Sequence, residues 1–378
     1  MEIYVVKPGD SVDSIADMYG ISPSSIIYNN QLTYPYALAL GQALLLSSGE
    51  ASFPSDPAWV NGYAYPFIEP GVLNETLSYL SSLSVFSYGF TTDGDLIPPK
   101  LDDTFMIRSA LQEGVHPILT LTPFDSEGNF NNFLITTLIN DQDVKNNLLS
   151  NLLTTIQERD FQGVNIDFEY IRPQDRFAFA DFVADVRDRL SPYGYQVSVA
   201  LAPKTSDNQK GLLYEGEDYR LVGNVAHSVL LMTYEWGYTY GPPMAVAPIN
   251  KVRQVVEYAV NRIAPSKIDL GIPNYGYDWT LPFVRGSSQA VTISNQEAVG
   301  IAIDAGVAIQ FDETAMSPFF QYEKNGQLHE VWFEDVRSYR AKFSLLPQYG
   351  LRGMGYWQIM HFFRPNWLLL KDTFLIQR

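Results

Sequence analysis

Asp167 and Glu169 are two carboxylates one residue apart in the stretch Gly163-Val164-Asn165-Ile166-Asp167-Phe168-Glu169-Tyr170. The stretch alternates: Val164, Ile166 and Phe168 are apolar, and Asn165, Asp167 and Glu169 are polar or acidic. Successive side chains of a strand point to opposite faces, so the amide and both acids share one face. Residues i and i+2 of a strand lie roughly 6.5 to 7 Å apart at Cα, close enough for two carboxyl groups to hydrogen-bond or share a proton. Like charges at that range push one pKa upward. A carboxylic acid still protonated near neutral pH is what a general acid requires. Glu169 is then the proton donor and Asp167 its modulator.

The elements around this stretch decide whether its polar face meets water or a site. Asp141 to Arg159 and Gln174 to Leu190 read as amphipathic helices. A strand between helices belongs to a βα repeat with a parallel sheet covered on both faces. Acids on a covered face are costly and concentrate at functional sites. From Ala58 onward the repeat continues. Strands are predicted over 59–66, 84–90, 116–123, 163–170, 196–202, 228–235, 267–275 and 353–359. Helices are predicted over 73–83, 103–113, 144–159, 176–190, 219–225, 249–263 and 334–348. About eight βα units point to an α/β fold of the (β/α)8 TIM-barrel type. A doubly wound sheet is the runner-up, but no Gly-rich phosphate loop follows any strand. Residues 280–332 interrupt the rhythm and read as an insertion on the C-terminal face.

Composition narrows the classes of function. The 378 residues carry a net charge of −17 and no cysteine. The acidity disfavours nucleic acid, which is bound by neutralising phosphates. Absence of cysteine rules out disulfides and thiolate metal sites. The four histidines, His116, His227, His329 and His361, lack ligand spacing, so neither a metal nor another cofactor is expected. No apolar run approaches the ~20 residues of a membrane span, and Met1-Glu2-Ile3-Tyr4 does not open like a signal peptide. The expectation is that the protein stays where it is made or that a leader precedes this sequence. Oligomeric state is not legible.

Residues 1–47 read as a separate βααβ unit. Ile3 to Val6 forms a strand, Val12 to Tyr19 a helix ended by Gly20, Ser22 to Asn29 a second helix, and Leu38 to Leu46 a closing strand. Asp10 and Ser11 stand where a helix cap is needed. Residues 48–57 form a Ser/Gly/Pro linker, and 58–378 the barrel. Val5, Pro8-Gly9-Asp10-Ser11, Ile15-Ala16, Asn29-Asn30 and Leu40-Gly41-Gln42 make the first unit resemble a LysM domain. The resemblance implies binding of N-acetylglucosamine-containing glycans between the loop after the first strand and the loop before the second. Gly9, Asp10, Ser11, Val12, Asn30 and Leu32 are its expected contacts. Thr33-Tyr34-Pro35-Tyr36-Ala37 departs from the usual short polar loop.

A retaining glycosidase of the common kind needs a second carboxylate about 5 to 5.5 Å away across the sugar, and two acids on one strand do not flank a substrate. Glu235 is the only other acid in a suggestive strand-end position. A substrate that supplies its own nucleophile through an N-acetyl group resolves this. The barrel residues resemble glycoside hydrolase family 18. That family's fourth-strand motif, Asp-Gly-x-Asp-x-Asp-x-Glu, reads here Gln162-Gly163-Val164-Asn165-Ile166-Asp167-Phe168-Glu169. Met232-Thr233-Tyr234-Glu235, Gly271-Ile272-Pro273-Asn274-Tyr275-Gly276 and Gly355-Tyr356-Trp357 match the sixth, seventh and eighth strands. The resemblance implies that Glu169 protonates the glycosidic oxygen and that Asp167 orients the attacking acetamido group. Tyr234 would hydrogen-bond that group and Trp357 would floor the reactive sugar. Asn165, Met232, Glu235, Tyr63, Asn274 and Tyr275 are further expected substrate contacts. Gln162, Asn165 and Glu235 replace family acids.

With the LysM unit and Met232 to Pro248, the chain resembles the bacterial spore cortex-lytic N-acetylglucosaminidases, many of which carry two LysM modules. That implies a partner in peptidoglycan, or in another N-acetylglucosamine-containing glycan, and a place in the spore coat or cortex. With a leader, the cell wall or the exterior becomes the expected location. A glycan-binding protein with a degenerate barrel and a chitinase-like endoglycosidase are the alternatives.

Overall fold

The computed structural model describes residues 1–47, 54–124 and 130–378. Residues 48–53 of the expected linker lie outside the described residues, and Pro57 already belongs to the first barrel strand.

In the N-terminal unit, Glu2–Val5 pairs antiparallel with Ala43–Leu46. Two helices, Val12–Tyr19 and Pro23–Asn29, cover this pair. Ser11 caps the first helix in a reciprocal capping box with Ser14, and Gly20 ends it in the left-handed region at φ 63°, where a glycine costs least. Asp10 takes no part in the cap; it accepts hydrogen bonds from the Tyr4 hydroxyl and the Lys7 amide, both at 2.7 Å. Ile15, Ile26 and Leu44 are fully buried between the layers.

Eight parallel strands form the barrel: Pro57–Ala64, Ser82–Phe90, His116–Leu121, Gly163–Ile166, Gln196–Leu201, Ser228–Leu231, Ile268–Pro273 and Gly353–Trp357. Each pairs with the next. The eighth closes on the first, with Gly353 opposite Trp59. All eight predicted strands are present. Two end four residues earlier than predicted, at Ile166 rather than Tyr170 and at Leu231 rather than Glu235, and the others within two residues of the predicted end. The reason is exhausted pairing: Ile166 stands opposite Leu121, the last residue of its neighbour, and Leu231 opposite Leu201. Beyond those points the chain leaves the ladder, and Tyr170 and Glu235 take positive φ of 60° and 66°.

The predicted helix 334–348 is two helices, Val336–Phe343 and Leu345–Tyr349. Pro347 explains the break, since its ring clashes with the carbonyl four residues earlier, at Phe343. Asn132–Asn140 and Arg364–Thr373 are additional helices. The small antiparallel sheet starts at Gly276, before the expected 280, and runs to Trp332. It consists of Gly276–Thr280, Val291–Ile293, Gln310–Asp312, Ser317–Lys324 and Gln327–Trp332, with the helix Asn295–Ala305 packed against it.

The N-terminal unit is seated on this sheet and on the last helices. The Ile309 amide donates to the Leu40 carbonyl at 2.8 Å, and a Cβ at Gly41 would lie 2.0 Å from the Ile309 oxygen, so only glycine fits. The Arg364 guanidinium stacks 4.3 Å from the Tyr28 ring centre, and the Arg364 amide donates to Gln31 Oε1 at 2.5 Å.

Behind the sheet, Lys342 Nζ meets Glu334 Oε2 at 2.6 Å with both side chains fully buried. The Glu334 amide donates to Asn295, whose own amide nitrogen donates to the Tyr339 hydroxyl at 2.9 Å. Removing one partner of such a pair strands a buried charge and costs about 3 to 5 kcal/mol. Lys342→Met should lower unfolding stability by that amount in equilibrium urea denaturation. A loss below about 1 kcal/mol, as for an exposed pair, would contradict this burial.

Candidate active site

The cleft lies at the C-terminal ends of the strands and encloses about 620 Å³. Its position follows from how the fourth strand ends. The Asp167 amide still donates to the Leu121 carbonyl at 2.9 Å, extending the ladder by one bond. Phe168 then turns outward and stacks on Phe182, with ring centres 5.7 Å apart, and on Phe90 at 5.6 Å. That anchor behind the barrel leaves Asp167 and Glu169 both lining the cleft.

Asp167 is buried, and its Oδ1 has no hydrogen-bond partner among the described residues. Burial first, and the neighbouring Glu169 charge second, hold it well above the usual carboxylate range. Burial also raises Glu169, to about 7, with the Glu235 charge adding to the shift. A glutamic acid poised there keeps a substantial protonated fraction near neutral pH and is suited to donate.

Glu235 sits past the sixth strand in the left-handed region. The hydroxyls of Tyr275 and Tyr277 both donate to its Oε1, that of Tyr277 at 2.9 Å. Burial raises Glu235 and the two phenols pull it back. The sign of its effect on Glu169 gives a pH prediction. Glu235→Gln removes a charge that favours the protonated acid, so Glu169 should lose its proton at lower pH. The alkaline limb of the kcat/KM profile should move toward acid, and a limb that stays or moves the other way would contradict the coupling.

Tyr234 is buried beside the carboxyls and lines the cleft. Burial, Tyr63 and Asp167 hold its phenol well above its ordinary pKa, so it stays a hydrogen-bond donor. Trp357, half-buried, packs edge-on against Phe86 with ring centres 4.9 Å apart. Met232 and Tyr63 also line the cleft.

Three expected substrate contacts are placed elsewhere. Asn165 lies one pleat below Asp167. Its Oδ1 accepts from the Tyr63 hydroxyl at 3.1 Å and its amide donates to Ser198 at 2.9 Å. With Gln162 it lines a lower chamber of about 450 Å³ rather than the cleft. Small inward residues such as Ser82, Ser84 and Ser198 leave that chamber open where bulky ones fill most such barrels. Asn274 is buried and ties loops together, donating to the Gln358 and His361 carbonyls at 3.1 and 2.9 Å. Tyr275 stands behind Glu235 as its holder.

In the N-terminal unit the residues divide likewise. Gly9 and Ser11 are exposed and Asp10 half-exposed, on the loop after the first strand. Val12 and Leu32 belong to the unit's core. The Asn30 amide group is used up on Ile26 and on both backbone groups of Leu45.

Tyr65, Phe86, Phe124, Phe130, Tyr170 and Tyr238 line the cleft without having been singled out from the sequence. A usable signal was their aromatic character at or just beyond strand ends. Tyr277 was likewise findable as the second tyrosine on the face of Tyr275.

This fold and site define a barrel glycosidase. The chain belongs to the glycosyl hydrolases family 18, whose model matches residues 126–361, and the LysM domain model matches residues 4–47. Among its relatives is the cortical fragment-lytic enzyme of Bacillus subtilis (strain 168), 36% identical over 99% of this chain and 98% of that one. The Bacillus anthracis protein of the same name is 37% identical over 100% and 99%. The crystal structure of the Bacillus cereus spore cortex-lytic enzyme SleL superposes with a TM-score of 0.94 at 32% identity, covering 100% of this chain and 99% of that one.

Proposed function

We propose that this glycoside hydrolase cleaves N-acetylglucosamine linkages in spore cortex peptidoglycan fragments, with retention of configuration and with the substrate's acetamido group as nucleophile. Residues 1–47 act as the glycan-binding module, joined by 48–56 to the catalytic barrel that starts at Pro57. Gly9, Asp10 and Ser11 offer its accessible binding surface. The spore is the place where this activity has its substrate, in keeping with the names of the Bacillus relatives.

One observation carries the mechanism. Besides Asp167 and Glu169, the only carboxylate among the described cleft-lining residues is Glu235, and two phenols hold it. With no free carboxylate facing the acid pair, attack on the anomeric carbon comes from the substrate's acetamido oxygen. Glu169 gives its proton to the leaving glycosidic oxygen. With the proton of the coupled pair on Glu169, Asp167 acts as the carboxylate: it accepts the acetamido N–H and offsets the positive charge of the forming oxazolinium ring, while Tyr234 donates to the acetamido group. Glu169 then takes a proton from the water that opens the ring.

The test is incubation of the protein with cortical fragments and, in parallel, chitin oligomers, with products read by mass spectrometry. New reducing N-acetylglucosamine ends on the cortical fragments are the expected result. Cleavage of chitin alone would move the protein to the chitinase-like reading, and cleavage of neither would leave a binding protein.

A further inference from the structure

The chamber beneath the cleft occupies the end of the barrel where the strands begin. Seven of the eight strands contribute to its wall, and Arg352, one residue ahead of the eighth, completes it. It encloses about 450 Å³, within the range of small-molecule sites. The exposed residues Gly194, Gln196 and Arg378 stand at its mouth. Tyr63 and Leu230 line both spaces and part the chamber from the cleft above. Bulky branched side chains ordinarily fill this level of such a barrel. Polar groups stand there instead, and several keep unused hydrogen-bonding capacity. Asp269 is only 6% exposed, and its Oδ1 has no partner among the described residues. Its Oδ2 accepts from Arg352 Nη1 at 2.5 Å. Asn61 Oδ1 accepts from the hydroxyls of Ser82 and Ser84 at 2.8 and 3.0 Å, which leaves its amide nitrogen to donate. The Ser228 hydroxyl and the Gln162 amide line the same space.

The charges of this wall are spent internally. Arg352 offsets Asp269. Arg378 commits its terminal nitrogens to the carbonyls of Leu77, Ser78 and Glu113. Burial lowers the pKa of His116, so that its ring is neutral at pH 7. A charged ligand therefore finds no counter-ion, whereas a buried carboxylate oxygen without a donor is penalised until one reaches it. A hydroxyl group answers both conditions. Its O–H donates to Asp269 Oδ1, and its oxygen accepts from Asn61 or from the Arg352 fork, which carries five N–H donors. Several hydroxyls on one uncharged molecule would engage the amides and Ser228 as well. From this wall we infer that the lower chamber is a second binding site, separate from the cleft, for a neutral polyhydroxy molecule of monosaccharide size.

The experiment titrates the full chain with glucose, myo-inositol and glycerol at pH 7 by isothermal calorimetry. None of the three carries the acetamido group that the cleft is proposed to hold. The expected result is saturable binding of glucose or inositol at one site per chain, with glycerol weaker because it fills less of the space. Tighter binding of glucose assigns the site to a sugar, and tighter binding of inositol to a cyclitol. Asp269→Asn should weaken binding by about tenfold or more, the size of a hydrogen bond to a charged group. Ser228→Leu, which fills the chamber without touching the ion pair, should do the same. Both variants should keep native circular dichroism and glycan hydrolysis, and Trp357→Ala, in the cleft, should leave polyol binding unchanged. No saturable heat with any probe would mean that water alone occupies the chamber, and overturns the inference. Binding that survives either chamber substitution, or that disappears in Trp357→Ala, overturns it as well.

Discussion

Glu169→Gln should lower kcat for glycan hydrolysis by about 10³-fold, in the range typical of a general acid, while glycan binding is retained. Glutamine keeps the side chain's length and polarity and removes only the transferable proton. Burial and the Glu235 charge hold the Glu169 carboxyl at about 7, so the native group is an acid when substrate arrives. The loss should depend on the leaving group. An N-acetylglucosamine substrate with an acidic phenol as leaving group needs little protonation, so its glycosylation step should suffer much less than that of a natural glycan. Initial rates on both substrates, with circular dichroism to verify the fold, check the prediction. Equal losses on the two would show that Glu169 acts through something other than proton donation.

Much of this arrangement was legible in the sequence, and the missing parts have identifiable physical causes. Alternation and helical periodicity located all eight barrel strands, because each buries one face against helices. Strand ends were overrun because an end is decided by where the neighbour's pairing stops, as at Leu121 opposite Ile166. The helix Asn132–Asn140 carries Ile and Thr on several faces, and its β-branched residues mask its helical character. Arg364–Thr373 carries Pro365 as its second residue, which reads as a breaker but serves in the first turn.

The site divides along the same line. Asp167, Glu169, Tyr234 and Trp357 were readable as a group because strand alternation and motif order bring them to one end of the barrel. Asn274 is expected at the substrate because it falls in the seventh-strand motif Gly271-Ile272-Pro273-Asn274-Tyr275-Gly276. Its partners are carbonyls 84 and 87 residues away, a contact no local pattern announces. Asn165 obeyed the alternation but lay one pleat too deep, and the depth at which side chains meet the cleft is set by the width of the closed barrel. The seating of the N-terminal unit depends on Gly41 against Ile309 and Arg364 against Tyr28, pairs remote in sequence.

That depth bears on the residue whose replacement should matter most after Glu169. In Asp167→Asn, kcat should fall by about 10² to 10³-fold, the size expected for one group aimed at developing charge, with a much smaller change in KM. The amide presents an N–H where the carboxylate accepts one, and it carries no charge to offset the oxazolinium ring. Because the position beneath it is already an amide, Asn165 bound to Tyr63 and Ser198, Asp167 has no carboxyl below with which to trade a proton. Its titration is therefore linked chiefly to Glu169, whose charge raises it, and the two lose protons as a pair. Asp167→Asn should reduce that paired titration to a single step, simplifying the pH dependence of the residual kcat/KM as well as lowering it. A variant that keeps more than a tenth of native kcat would mean the acetamido group is oriented by Tyr234 alone, and the attack would then have to be rebuilt around that phenol.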